Sequence, residues 1–257
     1  MSKRGCRKIY IFDVDGTLTP SRLPMTKKFQ DFFKEWCMRN KFYLVTGSDI
    51  SKLQEQMCMY DIEAEGIFTC CGNQFWRQDP HITNISAEMI YDNKFKVSRK
   101  LNKLLGTILS NSQYPVKAGN HIEDRGSMVN FSIVGRDCTQ EQRDEYFEYD
   151  NEKGERKIIA NAIKEKFPEL DAVIGGQISI DIYPKGMDKS QIFKHIEEKE
   201  NLYCPDEYIF IGDRTMEGGN DYPLAQLLNH KDRPYGYAYQ TDGWEHTIRL
   251  LETLENK

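Results

Sequence analysis

Ile9-Tyr10-Ile11-Phe12 is an unbroken apolar run that stops at Asp13, the pattern of a strand buried on both faces of a parallel sheet. A helix is expected next. Phe29, Phe32, Phe33, Trp36 and Cys37 recur at i, i+3, i+4, i+7 and i+8 between Thr26 and Arg39, which places an apolar stripe on an amphipathic helix. Phe42 to Val45 predicts a second buried strand ending at Thr46-Gly47-Ser48. Ile50, Leu53 and Met57 mark another helix, and Ile67-Phe68 a short third strand. Far along the chain, Tyr208-Ile209-Phe210-Ile211 repeats the first pattern and ends at Gly212-Asp213, while Trp244, Ile248, Leu251 and Leu254 predict a closing amphipathic helix. Alternation of strands and helices means βαβ units, and right-handed crossovers then favour a doubly wound sheet.

The alternation fades after about residue 84 and resumes near residue 188. Between them, Ile178, Ile180 and Ile182 alternate with Gln177, Ser179, Asp181 and Tyr183, the period of a strand with one apolar and one polar face. Met128 to Val134 predicts another strand, and Leu101 to Leu109 and Glu155 to Phe167 predict helices. The expected architecture is therefore α/β: a doubly wound, Rossmann-like parallel-sheet core from residues 1–84 and 188–257, split by an inserted α+β domain at 85–187. A chain of 257 residues is long enough for such a core and insert.

Composition narrows the function. Lys and Arg number 35 against 40 Asp and Glu, a formal charge of -5, and no segment carries a basic stripe. Nucleic acid is not an expected partner. No apolar run approaches the roughly 20 residues of a membrane helix, and the run at Ile9 to Phe12 is too short for a signal-peptide core, so no membrane association and a cytoplasmic location are expected. Seven cysteines (Cys6, Cys37, Cys58, Cys70, Cys71, Cys138, Cys204) form no CxxC spacing and read as reduced thiols. Cys70 and Cys71 are adjacent, which fits either redox chemistry or small packing residues beside a strand end. The five histidines are dispersed without ligand spacing and receive no role.

The chemistry gathers at strand ends. Asp13-Val14-Asp15-Gly16-Thr17 follows the first buried strand, where ligands bind in open α/β sheets. Taken alone, Asp15-Gly16 would serve equally as a turn and Asp13 as a helix cap. The other strand ends change that balance. Thr46-Gly47-Ser48 offers hydroxyls and amides after the second strand, Asp213 ends the last, Gly218-Gly219-Asn220-Asp221 follows it, and Lys189 lies where the core pattern resumes. Carboxylates, hydroxyls and one ammonium brought to one sheet edge form a magnesium and phosphate site.

These four separated motifs, in this order and spacing, resemble those of the haloacid-dehalogenase superfamily. Within it the chain is similar over nearly its whole length to the eukaryotic-type phosphomannomutases. The similar segments are Asp13 to Thr19, Gly47 to Asp49, Asn130 to Arg136 with Cys138 to Arg143, Gly175 to Asp181, and Gly212 to Asp221.

The resemblance implies a nucleophile, Asp13, that forms an aspartyl-phosphate, and an acid–base residue, Asp15. It implies Mg²⁺ held by Asp13, Asp15 (through its backbone carbonyl) and Asp213, with Asp221 in support. Thr46, Gly47, Ser48 and Lys189 would then neutralise the transferring phosphoryl. The insert would be a cap on which Arg125, Arg136 and Arg143, with Arg22 of the core, grip the second phosphate, while Ser179 and Asp181 bond sugar hydroxyls. The resemblance further implies interconversion of mannose 6-phosphate and mannose 1-phosphate, a hexose 1,6-bisphosphate activator, a homodimer formed through the cap, and a place in GDP-mannose biosynthesis.

Some positions depart from the family pattern. Cys70-Cys71-Gly72-Asn73 stands where Glu-Asn-Gly is usual, Gly126-Ser127-Met128 follows Arg125 in place of Asn-Gly-Met, and Thr46 replaces a glycine, as in related phosphatases. The loop after Asp221 lacks the residues that hold a second cation. A sugar-phosphate phosphatase is therefore the alternative outcome. A silent binding protein would have left Asp13, Asp15, Lys189 and Asp213 free to change, yet all four are present.

Overall fold

A computed structural model describes residues 7–57, 62–78, 87–200 and 207–255. Its contacts divide the chain into two units: Met1–Asp92 with Asp188–Glu217 and Asp221–Lys257, and Asn93–Met187 with Gly218–Asn220.

The first unit is built on a seven-stranded sheet. Its strands are β1 (Lys8–Phe12), β2 (Lys41–Val45), β3 (Gly66–Thr69), β4 (Gln74–Gln78), β5 (Ala87–Asp92), β10 (Glu207–Gly212) and β11 (Gly236–Gln240), in the order β11-β10-β1-β2-β3-β4-β5. The pairings from β11 to β3 are parallel; β4 and β5 add an antiparallel edge. The α/β class with a mostly parallel sheet thus matches the sequence reading. Alternate residues of β1 point to opposite faces. Tyr10 and Phe12 pack with Phe29, Phe33 and Trp36 of α1 (Lys27–Cys37), Leu53 and Met57 of α2 (Ile50–Met57), and Leu251 and Leu254 of α8 (Trp244–Glu255). Ile9 and Ile11 pack with Ile192, Phe193 and Ile196 of α6 (Ile192–Glu200) and with Leu224 and Leu228 of α7 (Tyr222–Leu228). Helices on both faces explain why β1, β2 and β10 read as continuous apolar runs.

Helix α1 starts where Thr26 Oγ1 accepts from the Phe29 amide, satisfying a donor that has no intrahelical partner. Its Trp36 stacks on Phe33 and meets Tyr10 edge-on, with ring centroids 5.5 and 4.8 Å apart, within the favourable range for aromatic pairs.

The second unit holds an antiparallel sheet ordered β6-β7-β9-β8, from β6 (Ile122–Asp124), β7 (Val129–Ser132), β8 (Leu170–Gly175) and β9 (Ser179–Pro184). One face packs against α3 (Arg99–Asn111), α4 (Gln140–Lys153) and α5 (Glu155–Lys166) through Leu101, Leu105, Tyr146, Ile159, Ile163, Ile180 and Ile182. A capping box at Thr139 begins α4, and Gly154, at φ +65°, ends it and lets α5 start at once.

Three sequence expectations differ from this arrangement. β5 falls inside the segment assigned to the insert but pairs with β4 at the edge of the large sheet. Gly218–Asn220 falls in the core segment by sequence, yet the Ile174 amide donates to the Gly218 carbonyl at 3.0 Å and the Asn220 amide to the Ile174 carbonyl at 3.2 Å, extending β8. β9 is buried on both faces, with Ser179 and Asp181 enclosed along with Ile180 and Ile182. Among the described residues, no helix is long and apolar enough to cross a membrane.

Candidate active site

The parallel strands deliver Asp13, Thr46 and Asp213 to one edge, each immediately past the end of β1, β2 or β10, the place where ligands bind in open α/β sheets. Lys189, on a single 3₁₀ turn just before α6, is completely buried and reaches two carboxylates: its Nζ lies 2.5 Å from Asp13 Oδ1 and 2.6 Å from Asp221 Oδ1. An ammonium taken out of water needs such partners. Oxygens of Asp13, Asp213 and Asp221 all lie within 4.8 Å of one another. Three carboxylates therefore crowd around one lysine.

The crowding shows in the protonation equilibria. Burial, reinforced by Asp221 and Asp213, pushes the Asp13 carboxyl well up against the opposing pull of Lys189. Burial and Asp221 push Asp213 up to about 7, with Arg214, 3.3 Å away, pulling the other way. Lys189 is desolvated, but Asp13 and Asp221 more than compensate and hold it well above its usual range. An all-oxygen, anionic donor set with one compensating ammonium fits a hard divalent cation such as Mg²⁺.

Two glycines make this packing possible. A Cβ on Gly16, which has φ +82°, would lie 2.8 Å from Asp213 Oδ2, and one on Gly212 would lie 2.5 Å from Asp221 Oδ2. No side chain fits between these backbones and the carboxylates.

Asp15 occupies a separate niche. Its Oδ1 accepts from the Arg22 amide at 2.5 Å and from Gln56 Nε2 at 2.8 Å. Gln56, on the buried face of α2, also donates to Thr19 Oγ1 at 3.2 Å. The sequence reading missed Gln56, although a glutamine on an apolar stripe one turn after Leu53 is itself a signal. The loop after β2 is pinned from the opposite side: the Ser48 amide donates to Thr46 Oγ1, and the Cys70 and Cys71 amides donate to the carbonyls of Ser48 and Thr46. Gly47 lies between them. Cys70 and Cys71 both have left-handed backbone, φ +52° and +57°, and both are fully buried; they support this loop.

The second unit gathers the other predicted residues. Arg125, past β6, donates to Glu123 Oε2 at 2.5 Å, and Arg136 Nε approaches the same oxygen at 3.4 Å. Arg143 of α4 donates to Gln177 at 3.3 Å. Asp181 accepts from Asn130 Nδ2 at 2.7 Å and Asn220 Nδ2 at 3.1 Å, while Ser179 Oγ donates to the Gly175 carbonyl. Glu123 was not singled out by sequence reasoning, since β6 is three residues long and shows no alternation; Asn130 entered only as the first residue of a segment similar to the family.

A family model described as eukaryotic phosphomannomutase matches residues 29–254. The phosphomannomutase of Encephalitozoon cuniculi is 36% identical, over 88% of this chain and 86% of that protein. That of Spinacia oleracea is 34% identical over 84% and 85%, and a probable phosphomannomutase of Caenorhabditis elegans is 33% identical over 99% of both. Among solved structures, an IMP-bound mutant of a Plasmodium falciparum IMP-nucleotidase superposes with a TM-score of 0.61 at 14% identity, covering 99% of this chain and 69% of the other. A haloacid dehalogenase-like hydrolase from Bacteroides thetaiotaomicron gives 0.57 at 15% identity, covering 96% and 99%. The solved structures share the haloacid-dehalogenase fold. The sequence matches go further, and by them the chain belongs to the eukaryotic phosphomannomutase family, a family of phosphohexomutase enzymes.

Proposed function

We propose that the protein is a magnesium-dependent phosphomannomutase that interconverts mannose 6-phosphate and mannose 1-phosphate through a phosphorylated Asp13. The observation that carries the reading is the buried Lys189 bridging Asp13 and Asp221, with Asp213 in the same cluster. Asp13 and Asp213, with the backbone carbonyl of Asp15, would hold Mg²⁺, while Asp221 holds Lys189. The ion supplies charge neutralisation for the phosphoryl oxygens.

An Asp13 carboxylate oxygen bonds to phosphorus as the bond from phosphorus to the sugar oxygen breaks, and Asp15 gives that oxygen its proton. The monophosphate product leaves. The free hydroxyl of an incoming hexose monophosphate then loses its proton to Asp15 and attacks the same phosphorus, freeing Asp13 and forming a 1,6-bisphosphate that turns end for end, so that Asp13 next attacks its other phosphate. Two easier steps replace one hard displacement, and a positioned acid–base group contributes typically ~10²–10⁴-fold. Thr46 Oγ1 accepts from the Ser48 amide, which leaves its own proton to donate to a phosphoryl oxygen. Arg22, Arg125, Arg136 and Arg143 grip the second phosphate, where planar guanidinium forks suit a dianion. Ser179 and Asp181 are assigned to the sugar hydroxyls, for which Asp181 would exchange its bonds to Asn130 and Asn220.

Starting from an unphosphorylated Asp13, turnover needs a hexose 1,6-bisphosphate to load it. ³¹P NMR of mannose 1-phosphate tests this: catalytic mannose or glucose 1,6-bisphosphate is expected to switch on isomerisation, and chelation of divalent ions to stop it. Phosphate release outrunning isomerisation at every bisphosphate concentration favours the phosphatase alternative, toward which Thr46 points. The reading also places a homodimer, joined through the inserted domain, in the cytoplasm, where the unbridged Cys37, Cys70, Cys71 and Cys138 stay reduced. Sedimentation would give its mass.

A further inference from the structure

Gln56 presents a buried amide where its helix otherwise packs apolar residues: Leu53 and Met57 flank it, and it is only 1% exposed. Burying a primary amide is unfavourable unless its hydrogen bonds are made. Here Nε2 makes two, to Asp15 Oδ1 at 2.8 Å and Thr19 Oγ1 at 3.2 Å, whereas Oε1 has no hydrogen-bond partner among the described residues. The opposite amide orientation would set Oε1 against the Asp15 carboxylate, so the chemistry selects the donor arrangement. The second donor to Asp15 Oδ1 is the backbone amide of Arg22, whose φ of +59° is a left-handed conformation that a non-glycine residue adopts only when its surroundings impose it. Two independent elements, a helix side chain and a strained loop amide, thus spend their donors on one oxygen.

An oxygen that accepts two N–H groups carries the charge or the carbonyl character of a carboxyl, and the proton goes to the other oxygen. We infer that Gln56 is a positioning residue: it anchors Asp15 Oδ1, so that the proton exchanged with the sugar hydroxyls sits on Oδ2 and faces the reacting oxygen. The inference rests on the proposed acid–base role of Asp15 and adds to it which oxygen acts and what fixes it. It also explains a burial that packing alone would fill better with leucine or methionine.

The test compares donors that need a proton with donors that do not. Gln56→Glu keeps the shape and loses the donor; Gln56→Met keeps the volume and loses the polarity. With mannose 1,6-bisphosphate, whose sugar oxygen must be protonated as it leaves, both variants are expected to phosphorylate Asp13 about 10- to 100-fold more slowly, inside the range of a general acid's contribution, with KM within about twofold. With 4-nitrophenyl phosphate, whose leaving group needs no proton, the rate is expected to stay within about threefold. In an Asp15→Asn background the Gln56 substitutions are expected to add less than about twofold. Equal losses with both donors, or no loss with the bisphosphate, would overturn the inference. Failure of 4-nitrophenyl phosphate and bisphosphate alike to label Asp13 in the unaltered protein would overturn the underlying mechanism, and the inference with it.

Discussion

Both units bury charge, and the inserted one holds a closed ion pair, Arg156–Asp150 at 2.7 Å, but the charges of the candidate site are neutralised differently in the two. In the core, Lys189, Asp13 and Asp221 are all withdrawn from water and bonded at 2.5–2.6 Å. In the inserted unit, Arg125 and Arg136 meet at Glu123, a side chain still 30% exposed, and Arg143 meets the neutral Gln177. The core cluster is complete on folding and must stay so, because a buried ion left alone is costly. Glu123 is partly solvated, so water can take its place on the guanidiniums, as the second phosphate would under the proposed function. Disturbing the first region should therefore cost chemistry and stability, and disturbing the second should cost substrate affinity.

The largest expected effect separates chemistry from folding within the core. Asp13→Asn cannot form an acyl-phosphate, so turnover should fall by about 10⁴-fold or more. Its melting temperature should fall far less than when the ammonium is removed, since Asp221 still pairs Lys189 and one of three crowded carboxylates is gone. Activity above a few per cent of the unaltered protein would remove Asp13 from the nucleophile role.

Lys189→Met should be the most damaging change to stability. It strips the ammonium from two buried carboxylates, a loss of about 3–5 kcal/mol in denaturant unfolding. Glu123→Gln, its counterpart in the inserted unit, should cost less, because Glu123 is itself 30% exposed and its place can be taken by water. Similar losses from the two would erase the contrast between the regions.

Arg143→Ala and Arg125→Ala should raise KM for hexose phosphates by about 10- to 100-fold, while acetyl phosphate still phosphorylates Asp13 at an unchanged rate, because remote contacts position only the larger substrate. If both donors suffered equally, the arginines would be structural.

The smallest effect lies at alkaline pH, in the core away from the site. Burial, with Glu255 and Glu207 nearby, pushes the Tyr10 hydroxyl up to about 12. Its raised folded-state value contributes stability that is complete below the unfolded value near 10 and lost as pH rises toward 12. Tyr10→Phe removes a hydroxyl with no hydrogen-bond partner among the described residues. It should leave stability at pH 7 nearly unchanged and flatten the decline in melting temperature above pH 10. A decline as steep as in the unaltered protein would place the alkaline loss elsewhere.

How much of this was legible in the sequence follows from what each element buries. β1, β2 and β10 are apolar on both faces, so continuous runs announce them and their ends announce Asp13, Thr46 and Asp213. α4 carries no such signal. Its buried residues are Arg143, Tyr146 and Asp150, and a helix that buries polar groups has no apolar stripe to find. β5 stayed hidden because Met89 and Ile90, on an edge strand, are exposed, leaving no alternation to count. The polar face expected for β9 is real as composition but not as exposure: Asn130 and Asn220 cover Asp181, and a partner 39 residues away cannot be read from a strand's own period. Asp221 was legible only as a supporting residue, since its bond to Lys189 is a tertiary fact.

Under the proposed function, a phosphoryl held on Asp13 passes to a sugar and not to water. Loading the protein from ³²P-acetyl phosphate, removing the donor, and adding mannose 1-phosphate or buffer alone measures this partition directly. Slow release of inorganic phosphate is expected in buffer, and rapid transfer of label to a hexose bisphosphate when the sugar phosphate is added. Label appearing chiefly as inorganic phosphate in both cases would contradict it and make the protein a phosphatase.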